Sequence, residues 1–194
     1  MSETKLLILP VKPYENVHLI VPKVHVDRRG SFHESYNKKV YEQLGIQDGF
    51  VQDNFSISKK GVLRGMHYQW DQPLGKLVTV VRGSVLDIIT DLRHGSPTYG
   101  ESAMMELSEY NKHQLWLPPG FAHGFLANED NTTVYYKYSC YYNKQGEGVI
   151  NPLDKDLSLN WRGSPPWEIS ERDRAGLSFE EYTKNPKFYY KEKK

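Results

Sequence analysis

From Phe50 to Tyr142 the chain reads as short runs of Val, Ile, Leu, Thr and Tyr, broken by clusters of Gly, Pro, Asn and Asp. That punctuation predicts antiparallel strands. KLVTVV (76–81) and VLDIITD (85–91), joined through Arg82-Gly83-Ser84, read as a hairpin whose central glycine supplies a positive φ. HQLWL (113–117) and HGFLA (123–127) read as a second pair around Pro118-Pro119-Gly120, and TTVYYKYSCYY (132–142) reads as one long strand. Helical periodicity is confined to two short stretches. In KKVYEQLGI (38–46) Val40, Tyr41 and Leu44 share a face and Gly45 ends the helix. In SFEEYTKN (178–185) Ser178 is the expected N-cap. Many strands with few helices predict an all-β jelly-roll sandwich or barrel, a form able to enclose one small ligand.

Composition narrows the picture. At 194 residues, one domain over 1–194 is expected, with the KEKK tail (191–194) frayed. Lys plus Arg number 25 against 24 Asp plus Glu, so net charge makes no case for a nucleic-acid or membrane partner, and an anionic ligand must be met by local basic groups. A single cysteine, Cys140, and a start without a basic region followed by an apolar one predict a cytoplasmic protein. No run approaches the roughly 20 apolar residues needed to span a bilayer.

Polar groups set inside the strand pattern mark the candidate chemistry. In GVLRGMHYQ (61–69) His67 and Gln69 share a face if the run is extended, with Arg64 three residues earlier. Burying such groups has a cost unless a network or a ligand satisfies them. LPPGFAHGF (117–125) delivers His123 at the start of a strand. Two strand-borne histidines invite a metal-cupin reading, but His67-Tyr68-Gln69 lacks a second histidine, and Lys76 stands where a carboxylate ligand would be expected, so no metal is expected. Lys76 reads either as a solvated lysine at a strand end or as an inward cation for an oxyanion or phosphate. In VYYKYSCYY, Tyr136, Tyr138 and Tyr142 share one parity, Tyr135 and Tyr141 the other.

In this order, DRRGSFHES (27–35), QDNFSIS (52–58), GVLRGMHYQ, GKLV (75–78), DLRHGSPTYG (91–100), LWLPPGFAHGF (115–125), YKYSCYY (136–142) and ISERD (169–173) resemble the dTDP-4-dehydrorhamnose 3,5-epimerase family and its 3-epimerase relatives. The resemblance implies a cupin-like jelly-roll homodimer with exchanged N-terminal strands. It would invert C3 and C5 of dTDP-4-keto-6-deoxy-glucose to give dTDP-4-keto-L-rhamnose, without a cofactor. It also implies His67 as base, Asp173 as its carboxylate partner, Lys76 as enolate stabiliser and Tyr136 as acid. Tyr142 and His123 would line the sugar pocket. Nucleotide and phosphate contacts would fall to Arg29, Phe32, Glu34, Gln52, Asn54, Arg64 and Arg174, with the DRRGSFHES segment reaching the neighbouring subunit. Leu74 before Gly75-Lys76, Pro152–Asp156 and Asn160-Trp161-Arg162 depart from the family's usual pattern. They keep open a C3-only epimerase, or one acting on a GDP- or CDP-linked 4-keto sugar. A sugar-nucleotide-binding jelly roll without activity is the reading from another class.

Overall fold

The computed structural model describes residues 6–14, 16–46, 49–163 and 165–191, so most of the expected frayed tail lies outside the described residues. In chain order the N-terminal part forms β1 (Leu7–Pro10), β2 (His18–Val21), β3 (His25–Asp27), β4 (Gly30–Phe32) and helix α1 (Lys38–Gln43). The central part supplies β5 (Gln52–Ser58), β6 (Val62–Gln69), β7 (Lys76–Arg82), β8 (Ser84–Asp91), β9 (Arg93–His94), β10 (Ser102–Ser108), β11 (Gln114–Leu117), β12 (Phe121–Ala127) and β13 (Thr132–Tyr138). Then come β14 (Glu147–Val149), β15 (Glu168–Ile169), α2 (Glu171–Arg174), α3 (Phe179–Lys184) and β16 (Phe188–Tyr189).

Two sheets form the sandwich. One runs β1-β2-β11-β7-β13-β5; the other runs β10-β8-β12-β6-β14, with β15 added beside β6. The strands of both expected hairpins exist, but their pairing differs from expectation. β7 pairs with β11 and β13, whereas β8 pairs with β10 and β12, so residues 82–84 carry the chain from one sheet to the other. The same holds for β11 and β12 across residues 118–120. Gly83 and Gly120 keep their positive φ, 74° and 102°, at these sheet-to-sheet corners. A Cβ on Gly83 would come within 2.5 Å of Thr132 Oγ1, so the corner has no room for a side chain.

Alternation along the strands sorts residues into three apolar layers. Val78, Val80, Leu115, Val134, Val85, Ile89 and Phe125 meet between the sheets. Leu63, Met66, Leu86, Ile88, Trp161, Tyr182 and Phe188 cover the outside of the β8-β12-β6 sheet with C-terminal segments. Ile20, Tyr41, Leu77 and Trp116 pack under α1 on the outside of the other sheet. Both short helices carry their expected signals: Gly45 follows α1 at φ 82°, and Ser178 caps α3 in a full capping box with Glu181. The expected strand 132–142 stops at Tyr138, where Ser139 turns to bond Gly75, its N–H to the carbonyl and its hydroxyl to the amide.

Candidate active site

The interior between the sheets is apolar at one end and polar at the other, because the inward parity of the strands changes composition there. On β5 the more buried alternate positions are Gln52, Asn54, Ser56 and Ser58. Together with Arg64, His67, Lys76, His123, Tyr136, Tyr138 and Tyr142 the first three line a cavity of about 320 Å³, closed at its floor by Phe125. A neighbouring cleft over β15 and α2 shares Arg64 and His67 with it.

Arg64 and His67 are three residues apart, and strict alternation would send them to opposite faces. A β-bulge resolves this: His123 faces His67 and Phe125 faces Arg64, so Gly124 alone opposes Gly65 and Met66. Met66 drops into the outer apolar layer, and Arg64 and His67 both face the cavity. Glycine at 65 is required twice. Its φ is 131°, and a Cβ there would stand 2.5 Å from Gly124 Cα and 2.9 Å from the His123 carbonyl oxygen.

His67 Nε2 lies 2.8 Å from Asp173 Oδ1. Asp173 Oδ2 accepts from the Gly65 N–H at 3.2 Å, and Ser170, capping α2, accepts from the Asp173 amide at 3.1 Å. Burial pushes the Asp173 carboxyl up, but the contacts with His67, Gly65 and Ser170 outweigh it and hold the carboxyl below its ordinary range. A carboxylate on Nε2 fixes the neutral imidazole as the Nε2–H tautomer, leaving the Nδ1 lone pair for a proton.

A second pair stands beside the first. His123 Nε2 is 2.8 Å from Asp87 Oδ2, with Asp87 fully buried and its Oδ1 without a protein partner. The side chain of Asn54 likewise keeps a buried, unpartnered Nδ2. Such orphans are what a polar ligand in the cavity would satisfy.

The facing wall belongs to the other sheet. Lys76, on β7, is 5% exposed, with Nζ donating to the His67 carbonyl at 3.3 Å and lying 5.9 Å from the Tyr138 ring centre. Burial draws its pKa down to about 8, although Glu147 and Asp87 pull the other way. Tyr136, on β13, has its hydroxyl 3.4 Å from Ser56 Oγ and its ring edge-on to His123 at 6.2 Å. Burial pushes the Tyr136 phenol far up, so it stays protonated; Tyr138 rises to about 12 for the same reason.

Of the residues singled out from sequence, His67, Lys76, Tyr136, Gln52, Asn54, Arg64, His123 and Tyr142 therefore line one cavity, and Asp173 backs it. Four do not line it. Arg29 and Phe32 belong to the exposed β3–β4 hairpin, where Arg29 is engaged by the Asp27 carboxylate in a separate concavity. Glu34 accepts from Asn37 Nδ2, with its Oε1 buried and unpartnered. Arg174 turns away, donating to the Trp167 carbonyl, because Asp173 holds the inward position of α2. Asp87, Ser56 and Tyr138 also belong to the site, beyond the residues expected from sequence. Ser56 shares parity with Asn54, and Asp87 is a lone carboxylate in the apolar VLDIITD run, so both carried a legible signal. Tyr142 donates to Glu147, which also receives Arg172, forming a polar rim beside the cavity. Among the described residues no three His, Cys, Asp or Glu side chains gather as a metal-binding group.

Two β-sheets enclosing an imidazole–carboxylate pair, a buried ammonium and a protonated phenol define a cupin-like jelly-roll epimerase. Residues 12–181 match the family model described as dTDP-4-dehydrorhamnose 3,5-epimerase. The chain belongs to that family. It is 43% identical over 162 residues to the dTDP-4-dehydrorhamnose 3,5-epimerase of Methanothermobacter thermautotrophicus, covering 80% of this chain and 85% of that protein. The crystal structure of the Legionella pneumophila dTDP-6-deoxy-D-glucose-3,5-epimerase in complex with dTDP-4-keto-L-rhamnose superposes with a TM-score of 0.93 at 41% identity, covering 97% and 100% of the two chains. A 3'-monoepimerase from Streptomyces bikiniensis in complex with dTDP-quinovose gives 0.85 at 30% identity, covering 89% and 88%.

Proposed function

We propose that the chain inverts C3 and C5 of dTDP-4-keto-6-deoxy-glucose, giving dTDP-4-keto-L-rhamnose by proton removal and return through an enolate. The C4 ketone acidifies the hydrogens on both neighbouring carbons, so the substrate carries its own electron sink. In the gluco configuration those two hydrogens lie on one face of the ring, and one base can reach both. The observation that carries the reading is the division of labour between the sheets: His67 with Asp173 on one wall, Tyr136 and Lys76 on the other.

In this mechanism His67 Nδ1 takes the C–H proton and Asp173 stabilises the imidazolium that forms. Lys76 donates to the developing C4 oxyanion, and Tyr136 delivers a proton from the opposite face, which produces inversion. His123 and Tyr142 contact the sugar. Gln52, Asn54 and Arg64 take the phosphates and nucleoside, a guanidinium being suited to bidentate phosphate binding. The exposed β3–β4 hairpin with Arg29 and Phe32, together with the half-buried Glu34 that follows it, completes the neighbouring subunit's site in a homodimer, and Arg174 contributes at the nucleotide end once substrate is bound. Val26 and Phe32, 77% and 73% exposed at the hairpin, support such docking. The enzyme works in the cytoplasm, where its single cysteine, Cys140, stays reduced. No helix among the described residues is long and apolar enough to cross a membrane.

Incubation with the keto sugar in deuterium oxide is expected to place deuterium at C3 and C5, and His67→Asn to abolish both. Exchange at C3 alone selects the monoepimerase reading that the Streptomyces bikiniensis likeness supports; turnover only with a GDP- or CDP-linked sugar changes the substrate. Binding with no exchange at either carbon, from folded wild-type protein, overturns the proposal.

A further inference from the structure

The double inversion poses a proton-accounting problem that the four groups above leave open. After the first inversion His67 holds the abstracted proton and Tyr136 is a phenolate. Before the second, His67 must lose a proton and Tyr136 must regain one while the sugar remains in the cavity. Tyr136 is buried on the inner face of β13, packed edge-on against His123 and Tyr138, and among the described residues no hydrogen bond joins its hydroxyl to either of them. One hydrogen-bond partner of its hydroxyl stands out among the described residues: Ser56 Oγ, at 3.4 Å.

Ser56 is well sited for such a role. It lies on β5, the edge strand of its sheet, with no further strand beyond it among the described residues, and it is half-buried while Tyr136 is buried. Its parity places it in a polar row with Gln52, Asn54 and Ser58, the last receiving the Arg64 guanidinium at 3.1 Å. Hydroxyls of this kind accept and donate at once, so a proton can pass through without net charge on the serine.

We propose that Ser56 is the positioning and relay residue that resets Tyr136 between the two inversions. The Tyr136 phenolate oxygen takes the Ser56 O–H proton as the Ser56 oxygen takes one from water, and the hydroxide left is neutralised by the proton that His67 releases to solvent. The enzyme thus returns to its starting protonation with no net gain or loss. The 3.4 Å separation of the resting pair is long for a hydroxyl–hydroxyl bond, and it shortens when charge appears on the phenolate. The inference rests on the epimerase reading and adds to it a residue that acts through Tyr136 rather than on the sugar.

The test compares wild type, Ser56→Ala and Ser56→Thr in deuterium oxide with enzyme in excess over keto sugar, following deuterium at C3 and C5 and the ratio of singly to doubly inverted sugar. Ser56→Ala should leave the first inversion within about threefold of wild type and slow the second by about 10²-fold, the low end of what a placed proton-transfer group contributes. Singly inverted sugar then accumulates, kcat falls with KM unchanged, and Ser56→Thr, which keeps the hydroxyl, restores the wild-type ratio. An unchanged ratio in Ser56→Ala, or equal slowing of both inversions that threonine does not rescue, overturns the role of Ser56 while leaving the epimerase reading intact. Absence of exchange from wild type itself overturns both.

Discussion

Replacing Lys76 by methionine separates what the buried ammonium does for the reaction from what it costs the fold. The side chain is 5% exposed, and burial lowers its pKa from 10.5 to about 8. Between those values the unfolded chain binds the proton and the folded chain does not, so this group's contribution to stability rises with pH across that window. Below pH 8 the full penalty is present; above about 10.5 it is gone. At about 1.4 kcal/mol for each tenfold difference in proton affinity, the ammonium costs about 3 kcal/mol at pH 7. Methionine fills a similar volume without charge, and the substitution gives up the bond to the His67 carbonyl, worth about 1 kcal/mol. Lys76→Met should therefore be about 2 kcal/mol more stable than wild type at pH 7 and about 1 kcal/mol less stable near pH 10.5, where only the lost hydrogen bond remains. Urea unfolding of both proteins at the two pH values, with unchanged m, measures this directly. Exchange into the keto sugar should fall about 10²–10³-fold, as for loss of one oxyanion donor. The wild-type rate should also decline as pH rises through about 8, a decline the variant lacks. A variant less stable than wild type at pH 7, or a gain of equal size at both pH values, would refute the reasoning.

Three further outcomes follow from the packing. Gly65→Ala forces a Cβ against the backbone of Gly124 and His123 in a conformation that alanine resists; thermal unfolding should show a loss of roughly 2–4 kcal/mol, with exchange reduced because Arg64 and His67 lose their common face. Asp91 is fully buried and accepts from Arg93, Ser96 and Thr98. Asp91→Asn should cost about 3–5 kcal/mol in urea unfolding, the penalty for stranding the Arg93 charge. Ile57 and Val26, 67% and 77% exposed, are apolar side chains that the proposed homodimer would cover; light scattering should give a dimer for wild type and a monomer for Val26→Ser/Ile57→Ser, and a monomeric wild type would remove the dimer proposal.

The residues carried their chemistry more legibly than their partners. Strand positions, the caps at Gly45 and Ser178 and the inward parity of Tyr136 are local properties, set by alternation and turn chemistry within a few residues. What residues 82–84 and 118–120 join is not local: a glycine with positive φ serves a hairpin and a sheet-to-sheet corner equally, and only the distant strands β10, β11, β12 and β13 decide between them. The common face of Arg64 and His67 was hidden for a similar reason, since a one-residue bulge in β6 is written partly in Gly124, some sixty positions on. Asp173 could be linked to His67 by resemblance alone, because 106 residues separate them. Asp87 and Ser56 stood in plain parity with inward neighbours and were missed because short apolar and serine-rich runs read as ordinary strand.

Because the proposed base and acid, His67 and Tyr136, hang from different sheets, the gap between them is a property of the filling and not of either strand. Face-to-face sheets sit about 10 Å apart, a distance held by the interdigitated side chains between them. Val78, Val134, Ile89 and Leu115 are thus spacers for the proposed proton transfer, and none of them lines the cavity. Thinning that layer by a methyl or two, outside the cavity itself, would retune the reach from donor to carbon.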